Sequence, residues 1–215
     1  AGIARTFQNI RLFSNMTVEE NVLVAMNQQM KYNVVSGILR LPNFWKEEKM
    51  VHERCLELLS IFHMEDLADH KAGSLPYGAQ RRLEILRALA TQPKLLLLDE
   101  PAAGLDPVGR RDMLDLVKKI HDSGVTIIMV SHSMDDVARL TDRLLVMNGS
   151  RLAFDGTPAE VFAHAEELVE MGLNIPQVTQ VFLHLRKMGV PVENVYTIDQ
   201  AIAEIKRVKG GAAHA

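Results

Sequence analysis

The run "PKLLLLDEP", Pro93 to Pro101, constrains the fold more than any other stretch of the chain. Four consecutive leucines show neither the alternation of a half-buried strand nor the spacing of an amphipathic helix. Short and bounded by prolines, they read as a strand buried on both faces, as the strands of a parallel sheet are. A second apolar run, "VTIIMVSH" (Val125 to His132), reads as another buried strand. Between the two, "GRRDMLDLVKKIHDSG" is an amphipathic helix stopped by Gly124. Strand, helix and strand with a helical crossover give an α/β fold built on a parallel sheet.

Most of the remaining chain is helical. Thr17 followed by Glu20 is a capping-box pattern opening "VEENVLVAM". "EEKMVHERCLELLSIFHM" carries Val51, Cys55, Leu58, Leu59 and Phe62 on one helical face. Between them, residues 28–46 hold aromatics broken by Gly37 and Pro42 and are expected to form a mobile helical excursion. Ahead of both, "IARTFQNIRLF" is a β-prone run. Beyond the second strand, "SMDDVARLTD" is a helix, and "RLLVMNGSRLAFDG" is two strands around Asn148-Gly149, a strong hairpin signal. From "TPAEVF" onward the pattern is helical again. "PQVTQVFLHLRKMG" is amphipathic, "TIDQAIAEIKRV" opens with Thr197 and Gln200 as a second capping box, and "GGAAHA" is expected to be a disordered end.

The chemistry gathers where the two apolar strands stop. In an open parallel sheet, ligands sit outside the carboxyl ends of the strands. One strand ends on Asp99-Glu100 and the other on Ser131-His132, so both sets are expected at one sheet edge. An aspartate after an apolar strand is the arrangement that holds Mg²⁺ on a nucleotide. A second carboxylate beside it can orient an attacking water, and a histidine can donate to a terminal phosphate oxygen. Composition narrows the partners. A net charge of -3 lacks the basic excess of a nucleic-acid surface. The single cysteine, Cys55, cannot form an internal disulfide and reads as a buried small hydrophobe. No apolar run approaches the roughly 18 residues of a spanning helix.

These motifs together resemble those of the ATP-binding-cassette (ABC) ATPases. "LLLLDEP" resembles their Walker B motif, "AGLDP" their D-loop, "VSH" their switch histidine, and "RTFQ" their Q-loop. "LPYGAQRRLEILRAL", about twenty residues before the leucine strand, resembles their signature motif and its helix. The resemblance implies an incomplete P-loop NTPase (RecA-like) sheet with an ABC helical subdomain, about residues 14–90, inside a partial ATPase domain of residues 1–157. A C-terminal helical extension would follow at 158–215. It implies ATP and Mg²⁺ as cofactors. Asp99 would hold Mg²⁺ through water, Glu100 would be the general base, and His132 would steady the γ-phosphate. Gln8 would touch the metal or the lytic water and couple the site to a membrane partner, and Asp106 would link two sites across a dimer. Pro76, Tyr77, Gly78 and Gln80 would face ATP held by a second subunit. There the free N–H groups and dipole of a helix start favour phosphate.

Two departures matter. The usual signature is LSGGQ and this chain has "LPYGA": Pro76 stands where a serine hydroxyl would reach the γ-phosphate, Tyr77 where a glycine would be, and Ala79 where a glutamine would be. Phosphate contact is therefore expected through backbone. Secondly, no G-x-x-x-x-G-K-[ST] occurs among the 215 residues. In the family that loop precedes the Q-loop, so the chain is expected to be truncated at its amino end. It is also expected to leave an edge of buried backbone uncovered and to have negligible ATP affinity by itself.

The front half, through "ARTFQNIRLFSNMTVEENVLVAM" and "LPYGAQRRLEILRALATQPKLLLLDEPAAG", resembles the ATPases of branched-chain amino acid importers. The rear half, through "GLDPVGRRDML", "VSHSMDDVARLTDRLLVMN" and "GTPAEVF", looks more like those of energy-coupling-factor importers for vitamins and cobalt or nickel. A switch near Gly104 reads as a chimera. The helical region that docks a membrane subunit belongs to the amino-acid half, which favours that substrate. Implied partners are transmembrane permease subunits and a second ATPase subunit, homo- or heterodimeric, with no nucleic acid. The implied location is peripheral, on the cytoplasmic face of the inner membrane. A soluble ABC protein acting on ribosomes or DNA would carry two cassettes or a basic surface. A catalytically inactive interaction module is the remaining alternative.

Overall fold

The computed structural model describes residues 2–27 and 42–212. The chain forms two compact units, Ala1–Val130 and Ser131–Ala215. The first part of the excursion expected at 28–46 and the last residues of "GGAAHA" lie outside the described residues.

Three parallel strands run through the first unit in the order β1 (Ile3–Arg5), β2 (Leu95–Asp99), β3 (Thr126–Val130). The leucine run is the central strand. Its register sets Ala4, Leu96 and Ile127 on one rung and Arg5, Leu97 and Ile128 on the next. Alternation then divides the sheet. Ala4, Leu96, Leu98, Ile127 and Met129 share the face turned to the core, and Leu96 and Leu98 are fully buried. Ile3, Arg5, Leu95, Leu97, Asp99, Ile128 and Val130 share the other. Helices α1 (Val18–Met26), α2 (Pro42–Ile61), α3 (Tyr77–Ala90) and α4 (Pro107–Asp122) supply most of the remaining buried core residues, and the connection between α2 and α3 supplies Phe62, Met64, Ala72 and Leu75. The helical face expected from Val51 to Phe62 is buried as spaced. The Thr17–Glu20 capping box is present, with Glu20 N–H donating to Thr17 Oγ1 at 3.1 Å and Thr17 N–H to Glu20 Oε2 at 2.8 Å.

The short β-prone run at the amino end yields a strand of three residues, and the chain then turns away at Phe7 and Gln8 to meet α3. One expectation needs correcting: neither β2 nor β3 is buried on both faces. Leu95 and Leu97 of β2 are only partly buried. Ile128 is 47% and Val130 55% exposed, and Ile3 on the opposite edge strand is 60% exposed. The cause is that the unit's helices cover one face of the sheet and, among the described residues, β3 has a strand on one side only.

The second unit holds α5 (Met134–Leu140), the antiparallel hairpin β4 (Leu144–Asn148) and β5 (Arg151–Gly156), α6 (Pro158–Ala163), α7 (Ala165–Glu170), α8 (Gln177–Lys187) and α9 (Ile198–Ala212). The hairpin turn is centred one residue later than expected. Asn148 pairs with Arg151, and Gly149 and Ser150 both take the left-handed φ of a type I′ loop, +54° and +62°. Thr157 caps α6 in a box with Glu160, and Thr197 and Gln200 exchange the reciprocal bonds of the second box, each 3.3 Å long. Val161, Phe162, Ala165 and Leu168 form the core under the hairpin, and Phe182, Val195 and Ala201 a smaller one between α8 and α9.

Candidate functional site

The carboxyl end of β2 is where the fold assembles polar groups. Asp99 is the last residue of the strand and lies level with Val130 of β3. It stands on the uncovered face, where Arg5 of β1 reaches it at 3.6 Å. Both side chains are partly exposed, 57% for Arg5 and 30% for Asp99, so this is a loose, screened pair. The next residue, Glu100, has φ +47°, a left-handed conformation uncommon for a residue with a Cβ. Its N–H is held by the Val130 carbonyl at 3.0 Å. The backbone is thereby forced out of the strand, and strain of this kind is concentrated at functional sites. After the turn at Ala103 and Gly104, Asp106 caps α4 by accepting from Gly109 N–H at 3.3 Å. A Cβ at Gly109 would lie 2.8 Å from Asp106 Oδ1, so a larger residue there would push that carboxylate from its present capping position.

Gln8 lies in an exposed bend just beyond β1. Thr6 N–H donates to the Leu97 carbonyl at 2.9 Å, which keeps the chain beside β2 for one more residue. The bend is then clamped by α3. Arg81 donates to the Phe7 carbonyl at 2.7 Å, to the Gln8 carbonyl, and to Glu84 at 3.0 Å, while Phe7 N–H donates to Glu84 Oε1 at 3.3 Å. A third arginine of the same helix, Arg87, donates to the Arg11 carbonyl at 2.5 Å.

The amino end of α3 is the "LPYGA" turn. Pro76 is its N-cap and makes no side-chain cap bond. The Pro76 carbonyl takes both Ala79 N–H at 2.9 Å and Gln80 N–H at 3.0 Å, and Gln80 folds its carboxamide back onto the Leu75 carbonyl at 2.8 Å. Tyr77 is 45% exposed. Its ring lies against Gly104, where a Cβ would stand 3.3 Å from Cε1, and the φ of +73° at Gly104 also calls for glycine. Leu105 lies close to Gly78 in the same way, 3.4 Å from where a Cβ would be. The turn before α3 and the turn after β2 are thus packed together, and the first unit unites Gln8, Asp99, Glu100 and the helix start in one framework. His132 belongs to the second unit, exposed in the loop leading into α5, where Ser133 N–H donates to Ser131 Oγ at 3.1 Å.

The donors at the strand end suit a hard cation. Mg²⁺ takes oxygen ligands, commonly one or two protein carboxylates plus phosphate oxygens and waters. Asp99 offers such a carboxylate with Glu100 beside it. Among the described residues no group of three or more histidine, cysteine or acidic side chains forms a self-sufficient metal cage. The protein would therefore supply part of a coordination sphere, with Arg5 as a competing cation on Asp99.

Sequence reasoning missed Arg5, Arg81 and Glu84. The last two gave a local signal that they pair, opposite charges three residues apart on one helix face, but none that the pair points inward. Arg5 gave no such signal, since its nearness to Asp99 depends on a strand register spanning most of the unit.

Comparison with known proteins agrees with this framework. The family model described as "ABC transporter" matches residues 1–103. The energy-coupling factor transporter ATP-binding protein EcfA2 of Caldanaerobacter subterraneus subsp. tengcongensis is 44% identical over 172 residues, covering 79% of this chain and 60% of the relative. The high-affinity branched-chain amino acid transport ATP-binding protein BraF of Pseudomonas aeruginosa is 39% identical, covering 74% and 63%. The chain thus spans about three fifths of the length of these relatives. Among solved structures, cbiO1 from Clostridium perfringens, part of the ABC transporter complex cbiONQ, matches with a TM-score of 0.64 and 30% identity, over 87% of this chain and 66% of that one. The ADP conformation of an ATP-binding cassette of an ABC transporter matches with a TM-score of 0.63 and 32% identity, over 79% and 67%. These likenesses in sequence and in fold place the chain in the ABC transporter ATP-binding family.

Proposed function

We propose that the chain serves as the ATP-hydrolysing subunit of an ABC membrane importer, working peripherally at the cytoplasmic face of the inner membrane. The observation that carries this is the pair Asp99-Glu100, set at the carboxyl end of the central parallel strand with Glu100 twisted out by its left-handed backbone. A bound Mg²⁺ would supply neutralisation of phosphate charge. Asp99 would hold it, through water, and Gln8 would lie at the same edge. Glu100 would orient the attacking water and accept its proton, and His132 would donate to the γ-phosphate. The backbone N–H groups at the start of α3, around Tyr77 and Gly78, would face ATP bound to a second subunit, and Asp106 would connect the paired sites. Transmembrane permease subunits and that second ATPase subunit are the partners. Among the described residues no helix is long and apolar enough to cross a membrane, which fits a docked subunit.

The 215 residues contain no phosphate-cradling loop with its lysine, so we expect negligible ATP binding and turnover by this chain alone. We further read residues 158–215 as an extension appended to the ATPase domain. The transported substrate is proposed to be branched-chain amino acids, as for the relatives BraF and LivG. A second reading, an energy-coupling-factor importer, draws on the 44% identity to EcfA2.

The test is co-purification with the two kinds of permease, followed by ATPase assay of the complex formed by a version of the chain extended at its amino end with a phosphate-cradling loop. Retention by an amino-acid permease, with turnover lost in Glu100→Gln, is the expected result. Retention only by an energy-coupling-factor permease would move the substrate to vitamins or metal ions. Binding to permease with unchanged turnover in Glu100→Gln would leave an interaction module.

A further inference from the structure

Helix α9 (Ile198–Ala212) has two apolar stripes, and its own unit uses only one of them. The inward stripe carries Ala201, buried against Phe182 and Val195. Glu204 is buried beside it, and Arg207 ties the helix down through Glu204 and the Pro191 carbonyl. Three isoleucines take no part in this. Ile198, Ile202 and Ile205 are 67%, 46% and 47% exposed. Their spacing, four residues and then three, keeps them on one side of the helix and is the repeat of a two-helix seam. At about 1.5 Å per residue the strip is about 10 Å long. Single exposed isoleucines are ordinary on a protein surface, whereas a contiguous apolar strip marks a site of contact.

The charges beside the strip indicate what covers it. Asp199 follows Ile198 and Lys206 follows Ile205, so an acid and a base stand on the same flank, seven residues apart and both exposed. When two copies of such a helix meet antiparallel, this flank faces its own reverse. Asp199 then stands opposite the partner's Lys206, and Lys206 opposite the partner's Asp199. A parallel pair would set the flank against the other side of the strip, where Ala201 and Val208 offer no charge. A membrane surface suits the strip less well. Helices that lie on membranes carry Lys and Arg beside the apolar face and Trp or Phe within it. Here an acid flanks the strip, and α9 has no aromatic residue.

We propose that α9 is a docking surface for a second copy of this chain, paired antiparallel about a two-fold axis. Ile202 packs on the partner's Ile205, and Ile205 on the partner's Ile202. Ile198 lies under the aliphatic stem of the partner's Lys209. The two Asp199–Lys206 pairs close the flank and set the direction, and symmetry uses every contact twice. The seam is short, so the contact is transient by itself, with a dissociation constant on the order of 100 µM. It needs no nucleotide and no residue of the first unit, and it stands or falls apart from the ATPase reading.

Sedimentation equilibrium of the 215-residue chain, from about 10 µM to about 1 mM, brackets the expected constant. All variants carry Ile128→Lys, chosen to suppress association through the edge strand β3. Ile202→Lys is expected to weaken dimerisation about tenfold or more, because it buries a charge at the centre of the seam. Asp199→Lys and Lys206→Asp each set like charges against one another at both ends, and each alone is expected to weaken it about tenfold. The double exchange Asp199→Lys/Lys206→Asp restores both pairs and is expected to dimerise like the parent. An equimolar mixture of the two single variants is expected to do the same. All these positions are exposed, and retained circular dichroism separates lost pairing from lost folding. A parent that stays monomeric throughout, undiminished dimerisation in folded Ile202→Lys, or single charge variants without effect would each overturn the proposal. So would a double exchange no better than the single ones. Binding to anionic lipid vesicles that Ile202→Lys abolishes, without any dimer in solution, would assign the strip to a membrane instead.

Discussion

Arg81 and Glu84 form an ion pair 3.0 Å long in the interior of the first unit, with side chains only 2% and 7% exposed, and both also bind the backbone at Phe7. One turn of α3 therefore fixes the bend that carries Gln8. Removing one partner leaves a buried charge without its opposite. Glu84→Gln or Arg81→Met is expected to cost about 3–5 kcal/mol by urea denaturation. The double variant Arg81→Met/Glu84→Leu should recover part of that loss, but not all, because the Phe7 carbonyl still loses its donor. A double variant no better than the worse single one would mean that the backbone bonds, and not the pair, dominate.

The uncovered sheet face predicts self-association. Ile128 and Val130 are about half exposed on a strand whose outer edge is unpaired within its sheet. Such edges template pairing with other chains. Ile128→Lys is expected to reduce concentration-dependent association in sedimentation velocity while changing stability by less than about 0.5 kcal/mol, as an exposed substitution does. Unaltered association would locate the adhesive surface elsewhere.

Cys55 should be chemically silent. Burial, aided by the charge of Glu19, pushes its thiol up to about 12. At pH 8 only about one molecule in ten thousand would carry the reactive thiolate. Disulfide-exchange reagents should therefore label the native chain very slowly and the urea-unfolded chain at the ordinary rate. Rapid native labelling at pH 8 would show that α2 opens locally.

Glu204 predicts an acid-sensitive second unit. Arg207 donates to it at 2.6 and 2.7 Å, and Glu193 N–H at 2.7 Å, which together hold its carboxyl at about 2 against an ordinary 4.5. A carboxyl depressed on folding adds stability that is complete above its ordinary value. That contribution is lost as pH falls from about 4.5 through about 2. The thermal midpoint of the parent chain should drop through this interval. Glu204→Gln should start lower at neutral pH and converge with the parent near the bottom of the window. Parallel curves throughout would remove Glu204 as the cause.

What was legible in the sequence was local. The leucine strand, the capping boxes at Thr17 and Thr197, and the buried face from Val51 to Phe62 follow from neighbours within a few residues. The position of Asp99 and Glu100 at the end of a strand was legible from the leucine run that precedes them. The exposure of β3 was not, since Ile128 and Val130 look alike whether or not another layer covers them. Nor was Arg81: hydrophobic periodicity registers a charge as outward-facing, whereas this one points inward to carbonyls more than seventy residues away. The turn of Gln80 onto Leu75 also escaped, because a carboxamide at a helix start serves backbone or ligand equally well.

The shortness of β1 has a further consequence for how the chain assembles. Thr6 and Leu97 lie 91 positions apart, so pairing β1 with β2 closes one of the longest loops in the first unit with a strand of only three residues. The entropy of closing such a loop is set against few hydrogen bonds, whereas α1, α2 and α3 can form from near neighbours. The expected order of assembly follows: the helical layer early, and β1 late, captured by an Arg81 that α3 has already positioned. Run backwards, the same step is expected to be an early local opening of the unit, one that releases the Gln8 bend before it disturbs the acids of β2.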